Sequence, residues 1–381
     1  MIYVVQPGDT VDLIATRTNV PVETIIYDNQ ISYPYRLAVG QAVYIAEDID
    51  NNESQDKRFI YVEGYAYPFI REWVLNQALP YLTDLLVFSY GFTEEGDLIP
   101  PAADDQWMIE RAGQYGVNTV LTLTPIDASG NFNNYLISSV VNREDRIGVM
   151  ISQLLGTLSH KRFSGVNIDF EYIRAEDREA YTAFVRTVRE ALNAEGYQVS
   201  VALAPKTSDT QQGLLYEGMD YRGLGEAADY VLLMTYEWGY TYGPPMAVAP
   251  IDQVRAVVEY AVTQIEPSKI NLGIPNYGYD WPLPFVRGTT RARTLGNQQA
   301  VQLAITQGVE IRFDESAMSP FFIYAEDGIE HEVWFEDVRS IQAKFDLVKE
   351  FQLRGVGYWQ LMQPFLANWL LLKDNFRIIY E

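Results

Sequence analysis

The chain has 381 residues, a net charge of −23, no cysteine and only two histidines, His160 and His331. The length fits a barrel of roughly 250–330 residues joined to a small module. The missing cysteines exclude disulfides and thiol nucleophiles, and two histidines are too few for a His-rich metal site, so we expect no metal and no cofactor. The acidic charge disfavours nucleic acids and anionic membranes, because binding phosphates requires clustered Lys and Arg.

The sequence predicts neither a membrane-spanning helix nor a secretion signal. It contains no run of 18 or more apolar residues, so no transmembrane helix is expected. The N-terminal residues lack a basic segment followed by an apolar one, so there is no recognisable signal peptide. The net charge of −23 favours a neutral ligand, and we expect the protein to be a monomer.

The first 47 residues predict a small unit with the order strand, helix, helix, strand. A turn at 7–10 precedes a helix over 11–18, and Pro21 suits the first turn of a second helix over 21–27. A polar loop follows, and residues 37–45 predict a closing strand. The polar segment 48–57 predicts a linker to the rest of the chain, 58–381.

Four residues of this unit are candidates for binding a ligand. With the 37–41 segment, Gly8, Asp9, Thr10 and Asn29 give the unit its resemblance to a LysM module. The resemblance implies binding of N-acetylglucosamine glycans such as peptidoglycan or chitin, between the loops near 8–11 and 27–31. Gly8, Asp9 and Thr10 also serve as turn and cap residues, and the fold would need them in either case.

From residue 59 onward, apolar strand-like runs alternate with helical patterns. This α/β alternation predicts a (β/α)8 TIM barrel rather than an open doubly wound sheet. The long connection at about 282–335 predicts a small α+β insertion after strand seven. The predicted strands are 59–67, 85–92, 118–126, 165–172, 198–205, 230–238, 270–279 and 355–361, and the main helices are 69–82, 104–115, 143–159, 176–196, 251–265 and 337–352.

The fourth predicted strand carries the candidate chemistry. Its apolar residues 166, 168 and 170 alternate with Asn167, Asp169 and Glu171, which therefore share one face. A core strand would not normally bury two unpaired acids, whereas a barrel strand that ends at an active site would deliver them there. An edge strand with a solvated acidic face is the alternative interpretation.

Other strand ends add polar and aromatic groups. The sixth strand brings Tyr236 and Trp238 to one face, and the eighth carries Trp359. Together with Glu171 and Asp169 they form a set of an acid, a supporting carboxylate, a phenol and aromatic walls. Aromatic faces are suited to packing against sugar rings.

These residues resemble glycoside hydrolase family 18. The strand-four motif Asp-x-x-Asp-x-Asp-x-Glu reads Ser164-Gly-Val-Asn167-Ile-Asp169-Phe-Glu171, and the strand-six Met-x-Tyr-Asp reads Met234-Thr-Tyr236-Glu237. Gly273-x-x-x-Tyr277-Gly and Trp359 match the seventh and eighth strands. With the LysM module, the chain is similar to the spore-cortex-lytic N-acetylglucosaminidases of this family.

The resemblance implies a retaining, substrate-assisted mechanism. Glu171 is then the acid and base, Asp169 and Tyr236 hold the substrate acetamide, and Asn167, Glu237, Trp238, Tyr277 and Trp359 are candidate substrate-binding residues. We expect a pKa of Glu171 raised by apolar surroundings or by the Asp169 charge. Because Asn167 replaces the second Asp of the motif, we expect it to hydrogen-bond Asp169 and Asp169 to stay ionised.

Three functions fit these observations. The first is a peptidoglycan glycosidase acting on spore-cortex fragments, placed in the cell wall or the spore coat and cortex. The second is a chitinase with the same chemistry on another polymer. The third is a non-catalytic glycan-binding barrel, which the presence of Glu171, Asp169 and Tyr236 disfavours.

Overall fold

The computed structural model describes residues 1–46 and 57–380. The predicted linker 48–57 therefore lies outside the described residues, apart from Lys57. None of the described helices is both long and apolar enough to cross a lipid bilayer.

The N-terminal unit has the predicted order of elements: β1 (Ile2–Val4), α1 (Val11–Thr18), α2 (Val22–Asp28) and β2 (Ala42–Tyr44). The two strands pair antiparallel, with Ile2 opposite Tyr44. Thr10 Oγ1 accepts a hydrogen bond of 3.2 Å from Leu13 N, which caps α1 as expected. The closing strand is shorter than predicted because the backbone turns at Gly40, where φ is +80°.

The rest of the chain forms a closed parallel barrel, which confirms the predicted fold. The barrel elements up to the insertion are β3 (Phe59–Ala66), α3 (Glu72–Ala78), β4 (Asp84–Phe92), β5 (Leu98–Ile99), α4 (Gln106–Gln114), β6 (Asn118–Leu123), α5 (Tyr135–Val141), α6 (Glu144–Lys161), β7 (Gly165–Ile168), α7 (Arg178–Asn193), β8 (Gln198–Leu203), α8 (Tyr221–Ala227), β9 (Tyr230–Leu233), α9 (Ile251–Ala261) and β10 (Ile270–Pro275).

An insertion follows β10. It comprises β11 (Gly278–Pro282), β12 (Arg293–Leu295), α10 (Asn297–Gln307), β13 (Arg312–Asp314), β14 (Ser319–Glu326) and β15 (Ile329–Trp334). Its five strands form a separate antiparallel sheet in the order β12-β11-β15-β14-β13. The chain then returns to the barrel through α11 (Val338–Glu350), β16 (Gly355–Trp359), α12 (Leu366–Asn375) and β17 (Arg377–Ile378).

The barrel closes through two parallel pairings of β3. Gly355 of β16 lies opposite Tyr61, and Glu63 lies opposite Asp84 of β4. Within the described ranges the ring contains eight strands, in the order β3, β4, β6, β7, β8, β9, β10 and β16. Most strand residues are buried on both faces, as expected where helices cover the outside of a parallel sheet.

Two strands that lead to the candidate site end earlier than predicted. β7 ends at Ile168 and not at 172, and β9 ends at Leu233 and not at 238. Asp169 N still bonds Leu123 O at 2.9 Å, after which Phe170 packs against Phe92 outside the barrel. The candidate motifs at 167–171 and 234–238 therefore extend onto the loops that begin at the C-terminal rim of the barrel.

The predicted seventh strand, 270–279, is split in two. Asn276 Nδ2 donates to Gln360 O at 3.0 Å and to Gln363 O at 2.9 Å, which ties the break to the loop after β16. The following strand, β11, belongs to the insertion sheet. That sheet therefore begins at Gly278, a few residues before the predicted position of about 282.

Candidate active site

The chain leaving β7 delivers two carboxyl groups to the floor of one cleft. Asp169 is 8% exposed and Glu171 is partly buried, and both line the same cavity of about 600 Å³. Burial raises the pKa of Glu171, and the charge of Glu237 raises it further. Burial and the charge of Glu171 raise the pKa of Asp169 well above its ordinary value. Two neighbouring carboxyls with raised pKa values tend to keep a proton between them, and a general acid must hold a proton before it can donate it.

The expected role of Asn167 was wrong in one respect. Its Oδ1 accepts a hydrogen bond of 2.9 Å from the Tyr65 hydroxyl, and its Nδ2 donates to Ser200 Oγ at 2.9 Å. Asn167 is fully buried and does not line the cavity. Within the described part of the chain, Asp169 Oδ1 is buried without a hydrogen-bond partner, so the expected bond between Asn167 and Asp169 is not formed.

The structure qualifies the expectation that Asp169 simply stays ionised. Burial raises the pKa of Asp169, and the negative charge of Glu171 raises it further. Burial therefore favours the protonated form of Asp169, and Glu171 adds to this effect whenever it is ionised. The two carboxyls are therefore best treated as a pair whose charges depend on each other. The raised pKa of Glu171 agrees with the prediction. Burial is its largest cause and the charge of Glu237 adds to it, while Asp169 and Glu171 repel each other when both are ionised.

Tyr236 remains a hydrogen-bond donor at the cavity wall. It is 9% exposed, and burial raises its pKa well above the ordinary value, with further increases from the charges of Asp169 and Glu171. The phenol is thus kept neutral next to two carboxyls. A neutral phenol can orient a carbonyl oxygen of a ligand by donating its proton.

Glu237 is held by two phenols of the seventh-strand segment. Its Oε1 accepts hydrogen bonds from the Tyr277 hydroxyl and, at 2.9 Å, from the Tyr279 hydroxyl. Its backbone lies in the left-handed region, with φ of +67°. Tyr277 is 3% exposed and is not part of the cavity lining, so the structure gives it the task of positioning Glu237 and not of contacting substrate.

The cleft has two aromatic walls. Trp359 makes edge contacts with Tyr65, Tyr67 and Phe88, with ring centroids 4.8–6.2 Å apart. Trp238 lies on the cavity lining as predicted. The sequence reasoning missed several other lining residues, namely Tyr65, Tyr67, Phe88, Phe132, Tyr172, Pro205, Leu215, Tyr216 and Tyr240. Five of these residues lie on predicted strands and could have been found there: Tyr65 and Tyr67 near the end of 59–67, Phe88 within 85–92, Tyr172 at the end of 165–172 and Pro205 at the end of 198–205. Phe132, Leu215, Tyr216 and Tyr240 lie on loops.

Comparison with known proteins identifies this barrel. The model of glycosyl hydrolases family 18 matches residues 126–363, a range that includes the cleft carboxyls, and a LysM domain model matches residues 3–46. The chain belongs to glycosyl hydrolase family 18. It is therefore a glycoside hydrolase with an N-terminal LysM domain. Membership of the family 18 and LysM families supports the binding of glycans that contain N-acetylglucosamine.

The chain is 40% identical to the cortical fragment-lytic enzyme of Bacillus subtilis (strain 168). The alignment has 432 positions and covers 99% of this chain and 98% of that relative. It superposes on the spore cortex-lytic enzyme SleL of Bacillus megaterium QM B1551 with a TM-score of 0.92, 34% identity and coverage of 100% and 99%. A chitinase from Chromobacterium violaceum gives a TM-score of 0.77 at 27% identity, with coverage of 83% and 98%.

The LysM candidates occupy different environments. Asn29 is 4% exposed; its Nδ2 donates to Ile25 O and Tyr44 O, and its Oδ1 accepts from Tyr44 N at 2.6 Å. Its side chain therefore joins α2 to β2 and is not available to a glycan, which corrects our assignment.

Asp9 has a similar structural role. Its side chain is 2% exposed and accepts hydrogen bonds from the Tyr3 hydroxyl and Gln6 N, both at 2.8 Å, and from Arg17. Gly8, with φ of +87°, and Thr10 lie at the surface of the same turn. Thr10 and part of Asp9 border a groove of the LysM domain.

Proposed function

We propose that this chain is a retaining N-acetylglucosaminidase that cleaves bacterial peptidoglycan, with spore-cortex fragments as substrate, by a substrate-assisted mechanism. The observation that carries the proposal is the pairing of Glu171, whose pKa is raised, with the unpartnered buried oxygen of Asp169 on the same cavity floor. A ligand N–H group would satisfy that oxygen, and a buried acceptor without a partner is costly otherwise.

In the first step, protonated Glu171 donates its proton to the glycosidic oxygen. The acetamido oxygen of the substrate attacks the anomeric carbon, the bond to the leaving sugar breaks, and an oxazolinium ion forms. Tyr236 donates a hydrogen bond to the acetamido oxygen and holds it in line. The buried Oδ1 of Asp169 accepts a hydrogen bond from the acetamido N–H, and in its ionised form Asp169 stabilises the positive charge of the oxazolinium ion.

In the second step, Glu171 has lost its proton and acts as the base. It removes a proton from a water molecule that attacks the anomeric carbon, which restores the acetamide with net retention. The charge on Glu171 in this state raises the pKa of Asp169, so the protonation of the two carboxyls changes together during turnover. Tyr277 and Tyr279 hold Glu237 in place, and their hydrogen bonds oppose the rise in its pKa that burial causes. When Glu237 is ionised, its charge raises the pKa of Glu171 and so favours the return of the proton to Glu171.

The substrate assignment rests on the relatives and on the acetamide requirement. The relatives named above are a cortical fragment-lytic enzyme and a spore cortex-lytic enzyme. A glycan lacking the acetamide has no internal nucleophile for this mechanism, so glucose polymers would not be cleaved. The protein would act in the cell wall or spore cortex as a monomer, without nucleic acid or membrane partners, in keeping with its charge of −23.

The test is digestion of purified cortex fragments, vegetative cell wall and chitin oligomers, with the products identified by mass spectrometry. We expect cleavage after N-acetylglucosamine in cortex fragments. The Glu171→Gln variant keeps the shape of the side chain but cannot donate or accept the catalytic proton, so it should form no product above background. Product formation by this variant equal to wild type would disprove the role of Glu171.

Chitin is the second candidate substrate, favoured by the likeness to the Chromobacterium chitinase. The chemistry at the cleaved bond would be the same, because chitin carries the acetamide on every sugar. The same digestion separates the two candidates. Faster release of product from chitin oligomers than from cortex fragments would make chitin the substrate.

A further inference from the structure

The lysine that follows β8 is buried next to the catalytic cleft. Pro205 lines the cleft, and the side chain of the next residue, Lys206, is completely buried. Burial lowers the pKa of the Lys206 ammonium, and the charge of Arg178 lowers it further. The Asp209 carboxyl lies 3.7 Å from the ammonium but is itself 61% exposed to water. A positive charge is costly in this position, and it needs other hydrogen-bond partners to be tolerated.

Two backbone carbonyls are these partners. Lys206 Nζ donates to Asp209 O at 3.2 Å and to Met219 O at 2.8 Å. The carbonyls belong to the two ends of the segment 209–219, which is part of the connection from β8 to α8. One side chain therefore closes this segment at its base.

The clamp formed by Lys206 and the two carbonyls is itself held in place. Lys206 N donates to the Tyr221 hydroxyl at 2.9 Å, and that hydroxyl donates to Ala204 O at 2.6 Å. Tyr221 is 1% exposed and is the first residue of α8. In addition, Arg178 Nη2 donates to Asp209 Oδ1 at 2.6 Å. The base of the segment is thus joined to the end of β8, to α7 and to α8.

The other end of the segment forms part of the cleft. Leu215 and Tyr216 line the cavity that also contains Glu171. Tyr216 O accepts a hydrogen bond of 3.0 Å from Met219 N, and the carbonyl of the same Met219 is held by Lys206. The residues that face the cleft are therefore connected to the ammonium through one intervening residue.

The segment also packs against the chain that leaves Glu171. A Cβ atom at Gly218 would lie 2.2 Å from Ile173 O, two residues after Glu171. A glycine permits this close approach because it has no Cβ atom. A displacement of 209–219 would therefore change the shape of the cleft on the side of Tyr216.

We propose that Lys206 is a positioning residue for glycan binding: its ammonium closes the base of 209–219 and thereby fixes Leu215 and Tyr216 in the wall of the cleft. That the ligand contains N-acetylglucosamine rests on the proposed function, whereas the clamp is an observation of its own. A wall of this kind contacts the sugar before and during the reaction alike. Its loss should therefore weaken substrate binding and leave the chemical step nearly unchanged.

The first measurement is hydrogen exchange of the full chain carrying Glu171→Gln, resolved by peptide, with and without chitin oligomers or soluble peptidoglycan fragments. The glycan stays intact in this background, and peptides from 209–219 report on the cleft separately from those of the LysM domain. Lys206→Met keeps the length of the side chain but removes the ammonium. The segment should then exchange faster without glycan, and the glycan concentration that protects it should rise about tenfold.

Lys269→Met is the matched control. Lys269 Nζ also donates to two backbone carbonyls, those of Gly225 and Ala228, but it lies just before β10, at the opposite end of the barrel from the cleft. This variant should leave exchange and protection of 209–219 unchanged. Arg178→Met loosens the same base through Asp209 from a partly exposed position, and provides a milder variant with a smaller effect if Lys206→Met does not fold.

The second measurement is steady-state kinetics with Glu171 intact. Lys206→Met should raise KM about tenfold and change kcat by less than about threefold. If Lys206 acts through the wall, adding Lys206→Met to Tyr216→Ala should raise KM little further than Tyr216→Ala alone.

Three results would overturn the proposal: no protection of 209–219 by either glycan, protection of the folded Lys206 or Arg178 variant at the unchanged glycan concentration, or a loss of kcat at constant KM. A role in stability alone would lower the unfolding temperature without changing protection or KM. Protection does not require hydrolysis, so failure of the parent chain to cleave cortex fragments would contradict the proposed function and leave this measurement intact.

Discussion

The Tyr65 hydroxyl and Asn167 Oδ1 form a hydrogen bond of 2.9 Å inside the barrel, beneath the catalytic cleft. It joins β3 to β7 and, with the bond from Asn167 to Ser200, extends to β8. An amide at this position holds three strands together without adding a titratable group. The protonation of the cleft floor is therefore left to Asp169, Glu171 and Glu237.

Replacing Asn167 by Asp should change the pH dependence. The new carboxyl would be buried beside the catalytic pair, and its negative charge would raise the pKa of both Asp169 and Glu171. A general acid with a higher pKa keeps its proton to higher pH, so the alkaline limb of the kcat/KM profile should move up. Ser200→Ala, which removes a partner of Asn167 without adding charge, is the control. Superimposable profiles for wild type and Asn167→Asp would contradict this account.

Replacing Glu237 by Gln should move the alkaline limb the other way. The charge of Glu237 raises the pKa of Glu171, so the neutral amide lets Glu171 lose its proton at lower pH. Activity on the alkaline side should therefore decline earlier. Tyr279→Phe removes one hydrogen bond to Glu237 but keeps its charge, and should move the limb less. The measurement is kcat/KM against pH for all three proteins, and an upward shift in Glu237→Gln would overturn the assigned cause.

A buried ion pair lies at the junction between the insertion and α11. Lys344 Nζ lies 2.9 Å from Glu336 Oε2, and neither side chain is exposed. Lys344→Met leaves the Glu336 carboxyl buried without its partner and should lower the free energy of unfolding by about 3 kcal/mol. The double variant Lys344→Met with Glu336→Leu removes both charges and should recover most of this loss. Urea unfolding measures both; equal stability of the two variants would argue against an unpaired charge as the cause.

Asn29 should prove important for the fold of the LysM domain. Asn29→Ala removes the two hydrogen bonds that the Asn29 side chain makes to the backbone N–H and carbonyl of Tyr44, which should cost about 2 kcal/mol. The amide hydrogen of Tyr44 should then exchange faster with solvent. Thr16→Ala, at an exposed position of α1, is the control and should leave this exchange rate unchanged. Unchanged exchange at Tyr44 in Asn29→Ala would mean that the amide does not hold the strand.

The sequence determined the plan of the protein. Apolar runs at regular spacing predicted the eight barrel strands, and alternation along 165–171 placed Asn167 and Asp169 on one face. These features are local, because each depends only on residues a few positions apart. The turn and cap residues of the LysM domain could be found for the same reason, with Thr10 capping α1 as expected.

Only the tertiary structure decided what each polar group does. Asn167 is hydrogen-bonded to Tyr65, 102 residues away in the chain, and not to Asp169 as expected. Tyr277 is hydrogen-bonded to Glu237, 40 residues away, and does not line the cavity where substrate was expected to bind. Part of the cleft lining, including Phe132, Tyr216 and Tyr240, comes from loops whose paths no periodic pattern encodes. The LysM domain meets Ile305 and Leu366 across about 300 residues of sequence. These contacts depend on how segments distant in sequence pack together, and that packing is defined only once the barrel has closed.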